Sequence, residues 1–196
     1  MTDSEGNLFR GDLVRLVAPA EEDASVLARW SEDAGYLRAL DSDHARPVSA
    51  REFATRLAPE QSEPNKVEFH LRTLQDNRLI GFVALHSIEW NNGAALLAIG
   101  IGEPAYRGKG YGSDALCLIL RYAFNELNLH RVGLDVISSN APAIRAYRRA
   151  GFQQEGAMRD AVLRDGCRYD RIIMGILRHE WQDRERSQDS EQETML

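Results

Sequence analysis

Apolar and polar residues alternate along Leu13–Val17, the period of a strand that buries one face. Past Pro19 the period lengthens to that of a helix. Glu21-Glu22-Asp23 put acidic side chains in its first turn, where the helix dipole favours them, and Val26, Leu27 and Trp30 recur on one face. Ser31–Val48 keeps no clear period and gathers Glu32, Asp33, Asp41, Asp43 and His44. A second helix is predicted over Ser49–Leu57, with Ser49 as cap and Glu52 three residues on, the spacing of a capping box. Pro59–Lys66 is a polar loop.

Strand patterns then run in series. Val67–Leu74 and Leu79–Ile88 are joined by Gln75-Asp76-Asn77-Arg78, a hairpin turn by composition. Glu89-Trp90-Asn91-Asn92-Gly93 turns the chain into the continuous apolar run Ala94–Ile101. Helix Ser113–Leu127 places Leu116, Ile119, Leu120 and Phe124 inward. Val132–Ile137 follows as a strand parallel to the fourth, because a helix separates the two. Asn140–Ala150 is a helix with Asn140 at its N-cap and Gly151 just past its end. Phe152–Glu155, Ala157–Leu163 and Tyr169–Leu177 close the chain as antiparallel strands around Asp165-Gly166. The order β-α-α-β-β-β-α-β-α-β-β predicts one α/β (α+β) domain over residues 8–181, a mixed, mostly antiparallel sheet flanked by helices. Residues 1–7 are expected as a flexible N-terminus and 182–196 as an acidic, disordered tail.

Between the fourth strand and the helix after it lies Arg107-Gly108-Lys109-Gly110-Tyr111-Gly112. Its glycines let the backbone approach a ligand closely. A helix that opens directly afterwards leaves its first N–H groups unpaired at the positive end of its dipole. Together these make a seat for phosphate oxygens. Three readings compete for it. A phosphate-loop NTPase needs G-x-x-x-x-G-K-[ST], a string the chain lacks. The dinucleotide string G-x-G-x-x-G/A is met by Gly110-Tyr111-Gly112-Ser113-Asp114-Ala115, with Asp135 about 20–25 residues on. Asp135, however, lies inside Val132–Ile137 and not at its C-terminal end, where a ribose would be met. The acyl-CoA loop R/Q-x-x-G-x-G/A is met by Arg107, Gly110 and Gly112.

Composition narrows the partners. The chain has 196 residues, 43% hydrophobic and 28% charged, the balance of a globular domain. A net charge of −6 argues against general nucleic-acid binding and favours cationic substrates. No apolar run reaches the length of a membrane span, and Met1–Gly6 lacks the features of a signal peptide, so no membrane partner is expected. Cys117, on an apolar helix face, and Cys167, in a turn, stand far apart, and five histidines are scattered. Neither a disulfide nor a metal is expected, and a reducing cytoplasm is the default compartment.

The second signature is Asn140-Ala-Pro-Ala143-Ile144-Arg-Ala146-Tyr147-Arg-Arg-Ala150-Gly151-Phe152. The glycine loop followed by N-x-x-A-x-x-x-Y-x-x-x-G-F resembles the GNAT superfamily of acetyltransferases. Within it the chain is similar to the branch of ribosomal-protein N-terminal acetyltransferases and spermidine acetyltransferases, from about Leu8 to Trp181. The resemblance implies a GNAT-like fold, acetyl-CoA as acyl-donor co-substrate, a homodimer, and acetyl transfer to a primary amine by direct attack. The acceptor is then a protein N-terminal α-amine or a polyamine-like small molecule. It also implies that Arg107, Gly108, Lys109, Gly110, Tyr111 and Gly112 bind the pyrophosphate, and that a bulge parts the fourth and fifth strands. The main chain around Ile99, Gly100 and Ile101 would then meet the pantetheine, as would Asn140. Tyr147 would give a proton to the leaving CoA sulfur, two helical turns along from Asn140.

The proton acceptor for the amine is open. Relatives carry a glutamate early in the fourth strand, where this chain has Leu96-Leu97, which leaves Glu89, Glu103 or bound water. Trp30, Glu32, Asp41 and His44, with Asp43, are the candidates to bind the acceptor. A catalytically silent acyl-CoA-binding module and a nicotinamide-dinucleotide oxidoreductase remain as alternatives.

Overall fold

The fold is organised by the meeting of its fourth and fifth strands. A computed structural model describes residues 7–58 and 63–194, with the side chains of the last helix as far as residue 187. Its strands are β1 (Val14–Val17), β2 (Val67–Thr73), β3 (Leu79–Glu89), β4 (Ala94–Ile101), β5 (Arg131–Ile137), β6 (Gln153–Arg164) and β7 (Cys167–Leu177). They form one sheet in the order β1-β2-β3-β4-β5-β7-β6. Among the described residues every neighbouring pair is antiparallel except β4 and β5. Those two pair only from Ala94↔Arg131 to Leu96↔Gly133 and then part. Beyond the split β4 stays on β3 as far as Ile101, and β5 stays on β7 as far as Ile137. The sheet therefore opens as a wedge at its middle.

Helices α1 (Ala24–Ser31), α2 (Ala34–Leu40), α3 (Ala50–Leu57), α4 (Tyr111–Arg121), α5 (Ala141–Ala150) and α6 (Arg178–Thr194) complete the fold. Strand alternation sends Gly100 and Ile101 to opposite faces of β4. A side chain at Gly100 would strike the Tyr36 hydroxyl of α2, whereas Ile101 packs toward Gly112 of α4. Thus α2 and α4 lie on opposite faces of the wedge. Leu116, Ile119 and Leu120 of α4 pack with Leu97, Leu134 and Met174 of the sheet in the main core. Leu27, Trp30 and Leu79 form a smaller core on the other face, closed by Tyr36, Phe53 and Leu57.

Local chemistry explains the element ends. Ser49 accepts a hydrogen bond from the Glu52 amide at 3.2 Å, while the Glu52 carboxylate pairs with Arg46 and Arg56 instead of returning to the cap. Asp165-Gly166 turns β6 into β7 with both residues at positive φ, as a two-residue hairpin prefers. Asp23, expected on an acidic helix start, is turned inward. It meets His70 Nδ1 at 2.6 Å and Arg72 at 2.5 Å, which satisfies its buried carboxylate.

Four features differ from expectation. Helix α2 occupies part of the segment without a period; Asp33 caps it by accepting from the Tyr36 amide at 3.0 Å. Strand β6 runs on through Gly156 and Asp160, absorbing two register shifts. Cys117 lies on the exposed side of α4. The polar C-terminal segment continues as helix α6 to Thr194 where a disordered tail was expected. Trp181 anchors its first turn, 7% exposed and 5.3 Å from the Phe124 ring, and Arg184 donates to the Arg149 carbonyl. Charge composition reports solvation, and helices that are solvated all round can still form. Of the expected flexible N-terminus, residues 1–6 lie outside the described residues, as do 59–62 of the polar loop. No described helix is long and apolar enough to cross a membrane.

Candidate functional site

The wedge holds a cavity of about 570 Å³. Its floor is Ile99, Gly100 and Ile101, the part of β4 that β5 has left. The glycine loop forms one wall. Gly108 at φ 71° and Gly110 at φ 92° adopt the left-handed conformation that glycine enters without a Cβ penalty. Gly112 has no such need: it lies inside α4, and a Cβ there would meet only Ile101 at 3.7 Å. It lines the cavity, and the fold leaves room there for a side chain. The Asp114 amide, donating to Gly110 O at 3.0 Å, is the first to close the helix. The amides of Tyr111, Gly112 and Ser113 are those a helix start leaves over. Asp114 itself is turned away, its carboxylate taking the amides of Asp12, Leu13 and Val14 at 2.8–3.1 Å.

Arg107 also has a structural duty. Its guanidinium donates to the carbonyls of Ile101 and Gly102 at 2.9 and 2.7 Å, meets Asp33 at 3.0 Å, and lies over the Tyr36 ring. It locks the end of β4 to the start of α2. Lys109 and Tyr111 do not line the cavity; Lys109 is exposed and Tyr111 stacks edge-on against Tyr106.

Helix α5 supplies the opposite wall with Asn140 and Tyr147. Asn140 accepts from the Ala143 amide at 3.2 Å as helix cap, and its Nδ2 donates to Ala39 O at 3.1 Å, which ties α5 to α2. Tyr147 packs against Phe152 at 5.8 Å between ring centres and lines the cavity. Burial, with the Asp135 carboxylate adding to it, pushes its phenol up to about 12, so it stays protonated at neutral pH.

The structure brings together most of the expected donor side and little of the expected acceptor side. Trp30 is 3% exposed and packed beneath Gly102, a core residue. Glu103 is held by Arg29 at 2.7 Å and Arg78 at 3.5 Å, outside the cavity. Glu89 pairs with Ala94 at the far end of the hairpin, roughly 17 Å along the strand from Ile99. Glu32, Asp41, Asp43 and His44 are exposed, and none lines the cavity. The residues that sequence reasoning missed are Tyr36, Ala39 and Leu40 of α2 and Ser113; the exposed Arg145 and Arg149 of α5 also stand at the cavity rim. The Asp33 cap three residues before Tyr36 was the readable signal for α2.

A second cavity, about 310 Å³, adjoins the first and shares Gly35, Ala39, Asn140 and Pro142 with it. The β6–β7 hairpin walls it with Arg164, Asp165 and Tyr169. Arg38 of α2 binds Asp165 through two bonds of 2.8 and 2.9 Å, while Arg164 donates to the carbonyls of Asp41 and Asp43.

Comparison with known proteins agrees with this geometry. Residues 14–153 match the acetyltransferase (GNAT) domain family. The chain belongs to the GNAT acetyltransferases. It is 32% identical over 174 residues to the SPbeta prophage-derived uncharacterized N-acetyltransferase YokL of Bacillus subtilis, covering 89% of this chain and 95% of that one. It is 30% identical to the spermidine N(1)-acetyltransferase of Escherichia coli, covering 89% and 85%. Spermidine N-acetyltransferase of Vibrio cholerae, solved with CoA and spermine, shares the fold at a TM-score of 0.78 and 24% identity, covering 86% and 98%. This GNAT protein is an acetyl-CoA-dependent N-acetyltransferase. The dinucleotide reading of the glycines falls with that, and the sheet agrees: a single parallel pair among the described residues is not a doubly wound fold.

Proposed function

We propose that this GNAT enzyme acetylates a primary amine by direct attack, with the donor seated in the wedge. The carrying observation is the alignment of three features along one cavity: the helix start at Gly112 and Ser113, the edge of β4 that β5 has left at Ile99–Ile101, and the Tyr147 phenol. The pyrophosphate of acetyl-CoA sits on the amides around Gly108–Gly112, and the pantetheine runs along β4 as a short extra strand. Asn140 caps α5 and faces the same arm. The amine attacks the thioester carbonyl, C–N forms, and C–S breaks as the tetrahedral intermediate collapses. Tyr147 protonates the departing sulfur; its raised pKa favours the form that can donate. No covalent enzyme intermediate is needed.

The acceptor reading that the geometry favours is an amine on a larger body, such as a peptide N-terminus. The second cavity lies between α2 and the hairpin, and its lining sets Arg38 and Arg164 against the single carboxylate Asp165, which Arg38 already holds, a balance that does not favour a polycation. A polyamine is the second reading, favoured by the relatives named as spermidine acetyltransferases. An amine panel under saturating acetyl-CoA, with CoA thiol release as the signal, tests both. Peptides turned over with higher kcat/KM than spermidine support the first reading, and the reverse order the second. Tyr147→Phe is expected to lower kcat by about 10²–10⁴-fold with acetyl-CoA affinity retained; unchanged turnover removes Tyr147 as the acid.

A further inference from the structure

β4 carries no carboxylate, and β5, across the wedge, carries one, Asp135. Neither β4 nor its loop offers a carboxylate to the cavity, and Glu89 and Glu103 are placed elsewhere. Register settles what stands opposite. The last β4–β5 pair is Leu96↔Gly133. Two residues further along each strand come Ala98 and Asp135, on the same face as that pair and opposite one another where the strands have separated. The face is the outward one: Leu96 is 41% exposed, whereas Leu97 and Leu134, one residue on, are buried. It is also the face over which α2 lies, since Tyr36 covers Gly100. Asp135 is the sole carboxylate on either strand between Ala94 and Ile101 or Arg131 and Ile137.

We propose that Asp135 is the group that receives the acceptor's ammonium and takes its proton. This rests on the acetyl-transfer reading of the wedge. Half of the Asp135 side chain is exposed, and Arg171 on β7 stands behind it, Nε 3.6 Å from Oδ2, with its Nη2 donating to Ser42. Ala98 opposite Asp135 has only a methyl, whereas the space over Gly133 is filled by Leu96 and Arg131, 3.3 and 3.7 Å from where a Cβ would stand. Asp135 stands outside the residues that line the cavity but within electrostatic reach of Tyr147, whose phenol is raised by burial first and by this carboxylate second. The balance of the step is complete. One ammonium proton passes to an Asp135 oxygen, directly or through one water, and the freed lone pair forms the C–N bond. As C–S breaks, the thiolate takes the Tyr147 proton, and the second nitrogen proton restores the phenol. Asp135 then releases its proton to solvent, so one proton leaves per turnover.

The test compares Asp135→Asn and Asp135→Ser with wild type on two acceptors, an alkylamine that is an ammonium at pH 7 and a hydrazide or arylamine that is already neutral. For the alkylamine, kcat/KM is expected to fall about 10²-fold or more and to recover as pH rises toward the amine's own pKa. For the neutral acceptor it falls only a few-fold, and the KM for acetyl-CoA is unchanged in both variants. Equal losses on the two acceptors, or no loss on either, overturn the role of Asp135 while leaving acetyl transfer intact. A wild-type enzyme that binds acetyl-CoA and acetylates no amine overturns the parent reading, and this one with it.

Discussion

The two sides of the β4–β5 wedge are built from different materials. The proposed donor side is backbone: a loop at positive φ, the first amides of α4, and a strand edge that has lost its neighbour. The proposed acceptor side is side chains on α2, the segment after it, and the tip of the β6–β7 hairpin, joined by Arg38–Asp165 and Arg164 across more than a hundred residues of sequence. Backbone sites ask for residue types at fixed spacing, because geometry must be right over a few consecutive positions. Side-chain sites ask only that distant loops meet, and many residue types can serve. The first kind is common to enzymes that share a donor; the second is where acceptors are told apart.

Arg107 joins the two sides, so breaking it has the largest expected effect on the fold. Arg107→Ala removes the bonds to the carbonyls of Ile101, the last residue of β4, and Gly102 just after it, and the partner of Asp33. Hydrogen bonds from a charged donor suggest a loss of about 2–3 kcal/mol, read as a shift in the denaturation midpoint at constant slope. Arg107→Lys should recover little, because one ammonium cannot copy a planar fork that reaches three oxygens. Asp33 carries the same point from the other end: the Tyr36 amide and then Arg107 hold its carboxyl below the usual range.

Gly112→Ala separates the donor site from the fold. The methyl meets only Ile101 at ordinary contact distance, and alanine in a helix is favoured over glycine by up to about 1 kcal/mol. Stability should therefore rise while the KM for acetyl-CoA rises and the KM for the amine stays put. A variant that gains stability and keeps its acetyl-CoA affinity would remove the phosphate seat from this turn of α4.

The same contrast decides what could be read from the sequence. Ser49, Asn140, Gly151 and Asp165-Gly166 each act within a few residues of themselves, and the structure uses them as their chemistry suggests. The glycine loop and Tyr147 belong to that class, and they line the cavity. Trp30 was ambiguous because one helical face can serve a core or a pocket; Gly102, whose bare backbone receives the indole, decides for the core. Glu89 and Glu103 were chosen for proximity in sequence to β4. Strand direction sends one to the wrong end, and two arginines take the other. Asp135 was weighed only as a ribose ligand and set aside in that role for lying inside a strand; nothing local to it reveals that β5 leaves β4 two residues earlier. Helix α2 was hidden by Gly35 and by a short apolar face.

On the acceptor side, Arg38→Ala sharpens the comparison from the other direction. The Arg38–Asp165 pair is exposed, so stability should not move measurably. The KM for the amine should change by a few-fold with acetyl-CoA affinity unaffected. A changed acetyl-CoA KM would mean that α2 serves the donor as well.

The smallest expected effect is a difference in pH dependence between the two sides. Burial pushes the Tyr147 phenol up, so its contribution to stability is present below pH 10 and lost as pH rises through about 12. His86, on the outward face near Asp135, moves the opposite way. Burial and Lys66 push its imidazole below the ordinary histidine value, against the pull of Asp135, Glu63 and Asp41. The folded protein thus resists a proton there that the unfolded chain accepts. Its contribution is present above about pH 6.5 and lost as pH falls through the lower folded value. Denaturation midpoints for His86→Gln, measured between pH 5 and 8, should fall less steeply toward acid than those of the wild type. Parallel slopes would mean that the imidazole titrates as freely in the fold as out of it, and that the outward face beside the wedge is as wet as bulk water.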